Sequence, residues 1–253
     1  MKIVNDIVNR IIKEEIEPLE VDEMGQVIID PDRIDAPNLD GYLNPEPDVV
    51  DDEDDFGRSW PPSAPHIFLL GKYYPMKSPG HVVLFDRNLQ CFYRSLLREV
   101  LRRVPAISKF DMEVALRLVV LKTYYHECFH FDCDLLRRLF GKTHRDRLME
   151  EALAVAWSRM QVAKDRAQWN TGIGRMNALV YNLFVRLAYQ YRSPGYVDWT
   201  NYADEVRFKA GLRDFFDPPN AVFLESSGVP VGDVLFEMLN KRKENEGFRE
   251  SKV

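Results

Sequence analysis

The sequence predicts an α+β fold, mostly helical, with a small sheet ahead of a run of helices. Three observations predict it. His66-Ile67-Phe68-Leu69-Leu70 and His81-Val82-Val83-Leu84-Phe85 are short apolar runs of strand character, with Pro75, Pro79 and Gly80 marking a turn region between them. From Lys109 to Lys142 there is no proline to break a helix. The chain has 253 residues, of which 45% are hydrophobic, enough for one large core with appended segments.

Taken in order, Asn5 to Glu15 reads as a short amphipathic helix with Ile7, Val8, Ile11 and Ile12 on one side. Residues 17–64 turn acidic and proline-rich, including Asp51-Asp52-Glu53-Asp54-Asp55, and lack the spaced apolar residues of a core. They read as a mobile linker or as an extended arm laid across the body, with Val27-Ile28-Ile29 and Trp60-Pro61-Pro62 as docking points. This divides the chain into residues 1–64, a helix with its arm, and residues 65–253, the main domain. Asn88–Arg103 and Ser108–Phe140 read as helices separated by Pro105, with Ser108 as N-cap and Asp111 at the third position. A further helix opens at Thr143 with Asp146 as capping partner, and its face Met149, Ala152, Leu153, Ala156, Met160 is apolar. Ile173–Tyr191 is another apolar-rich helix, 189–199 an aromatic loop, Gly232 to Lys241 an amphipathic helix, and Lys243–Val253 a frayed charged end.

Composition narrows the function. A net charge of -6 argues against a general nucleic-acid binder. Arg94, Arg98, Arg102 and Arg103 form a basic stripe on one helix, read as a solvated face. Cys91, Cys128 and Cys133 have no framework spacing, so reduced thiols and a cytoplasmic location are expected. No signal peptide and no membrane-spanning apolar stretch is read, so no membrane partner is expected.

The chemistry concentrates in His126-Glu127-Cys128-Phe129-His130. Residues four apart on a helix share a face, so His126 and His130 can aim two imidazoles at one zinc ion. Glu127 lies beside the first histidine and can take a proton from a water on that ion. This HExxH segment resembles the zincin superfamily of zinc metallopeptidases: Thr123, Tyr124, Cys128, Phe129 and Phe131 fit its wider pattern, and Asp132 departs from it.

Zinc needs a third protein ligand. Asp134 continues the stripe, but lies roughly 12 Å along the helix axis from His126, too far to join both histidines. His144 follows Gly141 and has no pattern to support it. The segment Glu151-Ala152-Leu153-Ala154 resembles the gluzincin branch, in which a glutamate on a second helix is the ligand. That resemblance implies His126, His130 and Glu151 as the metal ligands, with Glu150 as runner-up or support for a ligand. It also implies a zincin-like domain with its small sheet, here Gly71-Lys72-Tyr73-Tyr74, a turn and Gly80 to Phe85, packed on the HExxH helix, where the edge strand either pairs with an extended substrate or is part of an ordinary hairpin covering the core. Val155 stands where thermolysin-like members carry an aspartate. The aromatic loop supplies either an oxyanion-stabilising tyrosine, as in gluzincins, or packing. The expected function is zinc-dependent hydrolysis of a protein or peptide substrate, with Glu127 as the catalytic base. A regulatory or toxin-type protein with one dedicated partner, or an interaction module with structural or no zinc, are the alternatives. The sequence does not indicate an oligomeric state.

Overall fold

The computed structural model describes residues 1–45, 68–74, 80–140, 146–169, 177–218, 221–244 and 249–252. Most of these are helical, and a small sheet lies beside them.

The centre of the fold is α4, Lys109–Leu139, a helix of 31 residues. Ser108 caps it as the sequence indicates: its hydroxyl accepts from the Asp111 N–H while the Asp111 carboxylate accepts from the Ser108 N–H. With no proline inside, the helix runs on past both histidines. It is apolar nearly all round because it is covered nearly all round. On one side lies α5, Arg147–Trp169, whose Ala152, Ala154 and Ala156 are buried and permit close approach. Asp146 begins α5 by accepting from the Met149 N–H, and so acts as the cap itself. Thr143 lies outside the described residues.

Two further sides of α4 are covered by α1, Lys2–Ile11, and by α3, Asp86–Leu101. Ile7, Val8 and Ile11 of α1 are fully buried in the same apolar core as Val119 and Val120 of α4. α6, Ala178–Ala188, is capped by Asn177; it starts later than the expected Ile173, and 173–176 lie outside the described residues. α7, Glu205–Phe216, and α9, Val231–Glu244, pack together near α5, with the short α8, Ala221–Ser226, between them.

The sheet differs from the expectation in two ways. The first strand, β1, is Gly71–Tyr74 rather than 66–70; of the expected run, Phe68–Leu70 is not strand and 66–67 lie outside the described residues. It pairs antiparallel with β2, His81–Leu84, Gly71 opposite Leu84. The charged end is not simply frayed: β3, Arg249–Lys252, adds parallel to β2 and completes a three-stranded sheet in the order β1-β2-β3.

The arginine stripe on α3 is not a solvated face. Arg98 donates to the carbonyls of Ala36 and Pro37 at 2.8 and 2.9 Å, Ser95 donates to Pro37, and Arg102 and Arg94 hold Asp32 and Glu15. Arg102 and Arg103 are exposed as expected, Arg102 while holding Asp32, and Arg94 and Arg98 are half-buried. The stripe clamps the N-terminal segment, which is laid along the body as an extended arm through residue 45. Val27, Leu39, Tyr42 and Leu43 are its buried anchors. Val27 is thus a docking point as expected, while Ile28 is exposed and Trp60-Pro61-Pro62 lies outside the described residues. Arg98→Ala removes two charge-assisted hydrogen bonds at once. It is expected to destabilise the fold by about 1–3 kcal/mol in denaturant titration and to speed amide exchange in residues 30–40.

Candidate metal centre

α4 and α5 place their polar residues face to face. From α4 come His126 and His130, one turn apart; from α5 comes Glu151. These three side chains gather their donor atoms into one buried cluster. The two Nε2 atoms are 3.1 Å apart, and Glu151 Oε2 is 3.1 Å from His126 Nε2 and 3.4 Å from His130 Nε2. Bonds near 2.0–2.2 Å to a tetrahedral ion put neighbouring ligand atoms about 3.3–3.5 Å apart, so this spacing fits one face of such a tetrahedron.

Two more observations fit a cation. Glu151 Oε2 is buried and, despite its short distance to the imidazoles, receives no hydrogen bond of good geometry. Electrostatics points the same way. Burial holds the His126 pKa below the ordinary imidazole value, offset only in part by Glu151. For His130 the same burial is outweighed by Glu151 and Glu150, which hold its pKa well above that value. Burial works against the charge on Glu151, yet His130 and His126 keep it ionised to well below the usual carboxylate range. The Glu151 charge favours a positive group beside it, and two imidazoles with one carboxylate suit zinc.

Glu150 and Glu151 part company here. Adjacent residues on a helix are about 100° apart, so Glu150 cannot reach the same point. It lies behind His130, its Oε1 2.8 Å from Nδ1, and Arg137 approaches its other oxygen at 3.5 Å. A carboxylate on Nδ1 fixes which ring nitrogen carries the proton and leaves Nε2 as donor to the cluster. Glu150 thus supports the ring of His130, the second histidine of the pair.

Glu127 is buried on the β1 side of α4. Gly71 explains the close approach of strand and helix: a Cβ there would sit 2.9 Å from Glu127 Cγ and 2.8 Å from Thr123 Cγ2. β1 is held further along by Tyr73, which donates to Asp134 at 2.9 Å and packs edge-on against Phe131. Asp134 is thus engaged by Tyr73 and Arg138, away from the cluster. His144 lies outside the described residues, and Cys128 is not part of the group.

The aromatic loop forms the roof. Gly195, with φ of 77°, turns the chain over α5, its Cα hydrogens facing the Leu148 backbone and Glu151 Cβ. This delivers Tyr196, whose ring stacks on His126 at 5.8 Å. Tyr191 packs against Tyr196 at 5.2 Å.

Sequence reasoning passed over Lys122. It stands one turn before His126 on the same stripe, and that i, i+4 position was the available signal. Its ammonium is buried among the rings of Phe92, Tyr189 and Tyr191 and donates to Tyr191 Oη at 2.5 Å.

Comparison with family models, with curated proteins and with solved structures found no match.

Burial pulls the Lys122 pKa down to about 7, with Glu127 offsetting it in part. Between about pH 7 and the ordinary lysine value the unfolded chain binds a proton that the folded chain does not, so stability rises with pH in that window and levels off below it. Lys122→Met is expected to flatten that rise, which for one such group has a slope on the order of 1 kcal/mol per pH unit. Chemical denaturation of both proteins at a series of pH values checks it.

Proposed function

We propose that this chain is a zinc-dependent peptidase. The observation that carries the reading is the spacing of His126 Nε2, His130 Nε2 and Glu151 Oε2, with Glu127 on the adjoining turn. Zinc held by these three would act as a Lewis acid and make water a competent nucleophile near neutral pH.

The chain's own residues do the rest. Glu127 takes the proton from the attacking water and returns it to the leaving amine. Glu150, backed by Arg137, holds the His130 ring so that Nε2 stays free of its proton. Gly71 keeps β1 close, so an extended substrate laid along that strand has its backbone beside Glu127. Tyr196 and the buried face of α5 close the far side and limit water. The absence of any helix long and apolar enough to cross a membrane, among the described residues, is compatible with a protein or peptide substrate met outside the bilayer.

Two outcomes are expected. First, the purified protein holds about one zinc per chain. His126→Ala and Glu151→Ala lose it, and Glu150→Ala keeps a site weakened by about 10- to 100-fold. Metal analysis after dialysis against graded chelator reads all three. Equal retention by Glu151→Ala and wild type sinks the ligand set. Second, Glu127→Gln keeps fold and zinc but loses about a hundred- to ten-thousandfold in peptide hydrolysis, because an amide cannot take the proton. Cleavage of unfolded casein and of a peptide library measures it; undiminished turnover by the zinc-loaded variant refutes the mechanism.

A further inference from the structure

Lys122 is the cation of the interior that the proposed chemistry leaves unused. It is 4% exposed. Among the described residues no carboxylate comes within ion-pair distance of it. Its ammonium faces Tyr191 at 4.9 Å, Phe92 at 5.2 Å and Tyr189 at 5.5 Å from the ring centroids. Such faces stabilise a cation, but much less than water does. Burying a lysine this way costs stability, and a methionine of similar length would fill the cage without that cost.

The cage is also built around one particular contact. Ser158 on α5 donates to the Lys122 carbonyl at 2.8 Å and sits 3.0 Å from Tyr189 Oη, so the lysine backbone and one wall of the cage are fixed together. What the amine then holds is the oxygen of Tyr191, at 2.5 Å. While Lys122 is protonated its ammonium can only donate, so Oη accepts from it and the phenol hydrogen is free to be given elsewhere. Among the described residues no acceptor takes it. Tyr191 lies within electrostatic range of Glu127 and Glu151 and packs on Tyr196, the ring that stacks on His126.

We propose that Lys122 is a positioning residue of the candidate centre, fixing Tyr191 so that its hydroxyl hydrogen is presented to the substrate oxygen that gains negative charge when the amide is attacked. The proposal rests on the peptidase reading and adds to it a reason for the buried lysine. A preorganised donor aimed at developing charge lowers the barrier because it need not reorient during reaction.

The test uses the full chain loaded with zinc and three variants: Lys122→Met, Tyr191→Phe and the double variant. Each is measured for melting temperature, zinc content, kcat and KM on a cleaved peptide, and affinity for a phosphinic peptide whose tetrahedral anionic group mimics the attacked amide. Lys122→Met is expected to melt at the same or a higher temperature and to keep its zinc. It should lose about ten- to a hundredfold in kcat and in phosphinic affinity, with KM little changed. Tyr191→Phe should lose at least as much, and the double variant no more than Tyr191→Phe, because the lysine acts through the phenol. A zinc-loaded Lys122→Met with wild-type kcat and phosphinic affinity overturns the proposal alone. So does a double variant whose losses multiply. If Lys122→Met does not fold, Tyr191→Phe decides, since it keeps the ring and the cage: unchanged kcat and affinity overturn the proposal. A wild-type chain that binds no zinc and cleaves nothing overturns the peptidase reading, and this inference with it.

Discussion

Burying ionisable groups costs free energy unless each finds a partner, and those that α4 and α5 bury include Lys122, Glu127, His130, Glu150 and Glu151. The rest of the fold reads as a response. Alanines at 152, 154 and 156 bring the two helices close enough for His130 to meet both glutamates. Arg137 reaches back along α4 to Glu150, and aromatic rings from α3 and the 189–199 loop surround the lysine. Around this polar seam the apolar core is large and continuous, running from Ile3 to Leu239. A seam of this kind is poorly explained by stability alone, because apolar residues would pack there at less cost. It is well explained by a site that needs charge in a place shielded from water.

The N-terminal arm belongs to the same arrangement. Its last described stretch, α2 at Asp40–Leu43, meets the aromatic loop: the Leu43 carbonyl accepts from the Arg192 N–H at 2.9 Å. Arg192 and Asp40 also pair at 3.1 Å, though both are exposed and such a pair contributes little. The backbone bond matters more, because it falls next to Tyr191 and four residues before Tyr196. The clamp of Arg94, Arg98 and Arg102 on the arm therefore reaches, through Leu43, to the roof of the candidate centre.

Much of this was legible in the sequence, for physical reasons. The Ser108–Asp111 box, the unbroken run to Leu139 and the His126/His130 stripe are local features, and local geometry decides them. The register of Glu150 and Glu151 was legible only by resemblance; composition alone leaves two adjacent glutamates equivalent. What escaped was set at long range. The arginine stripe looked solvated because its partners, the Ala36 and Pro37 carbonyls for Arg98 and the carboxylates of Glu15 and Asp32 for Arg94 and Arg102, lie some sixty to eighty residues away and carry no local signal. β3 joins its sheet from the far end of the chain, and its Arg-Glu-Ser-Lys sequence has none of the apolar alternation of a strand. Apolar pattern alone puts the first strand at 66–70, because Gly71-Lys72-Tyr73-Tyr74 is a weaker strand former; only the resemblance singled out 71–74, where a glycine can lie against Glu127. α7 has a plain cap in Asp204 and was simply not read. Lys122 was passed over, since burial of a lysine is rare without a paired charge.

The placement of all three donors on one pair of sequential helices has a kinetic side. His126 and Glu151 are 25 residues apart in sequence. The aromatic roof must close a loop of about seventy residues from Lys122 to Tyr191, and the sheet must recruit the far end of the chain. Short loops close at lower entropic cost and sooner than long ones. The α4–α5 pair is therefore the part of this molecule that can bring the three donors of the cluster together before roof and strand shield it. A divalent ion captured at that stage would bind the nascent hairpin and pull its folding forward, since metal affinity and folding free energy are then the same quantity. On the proposed reading, order of assembly as much as final geometry would decide which ion the cluster takes.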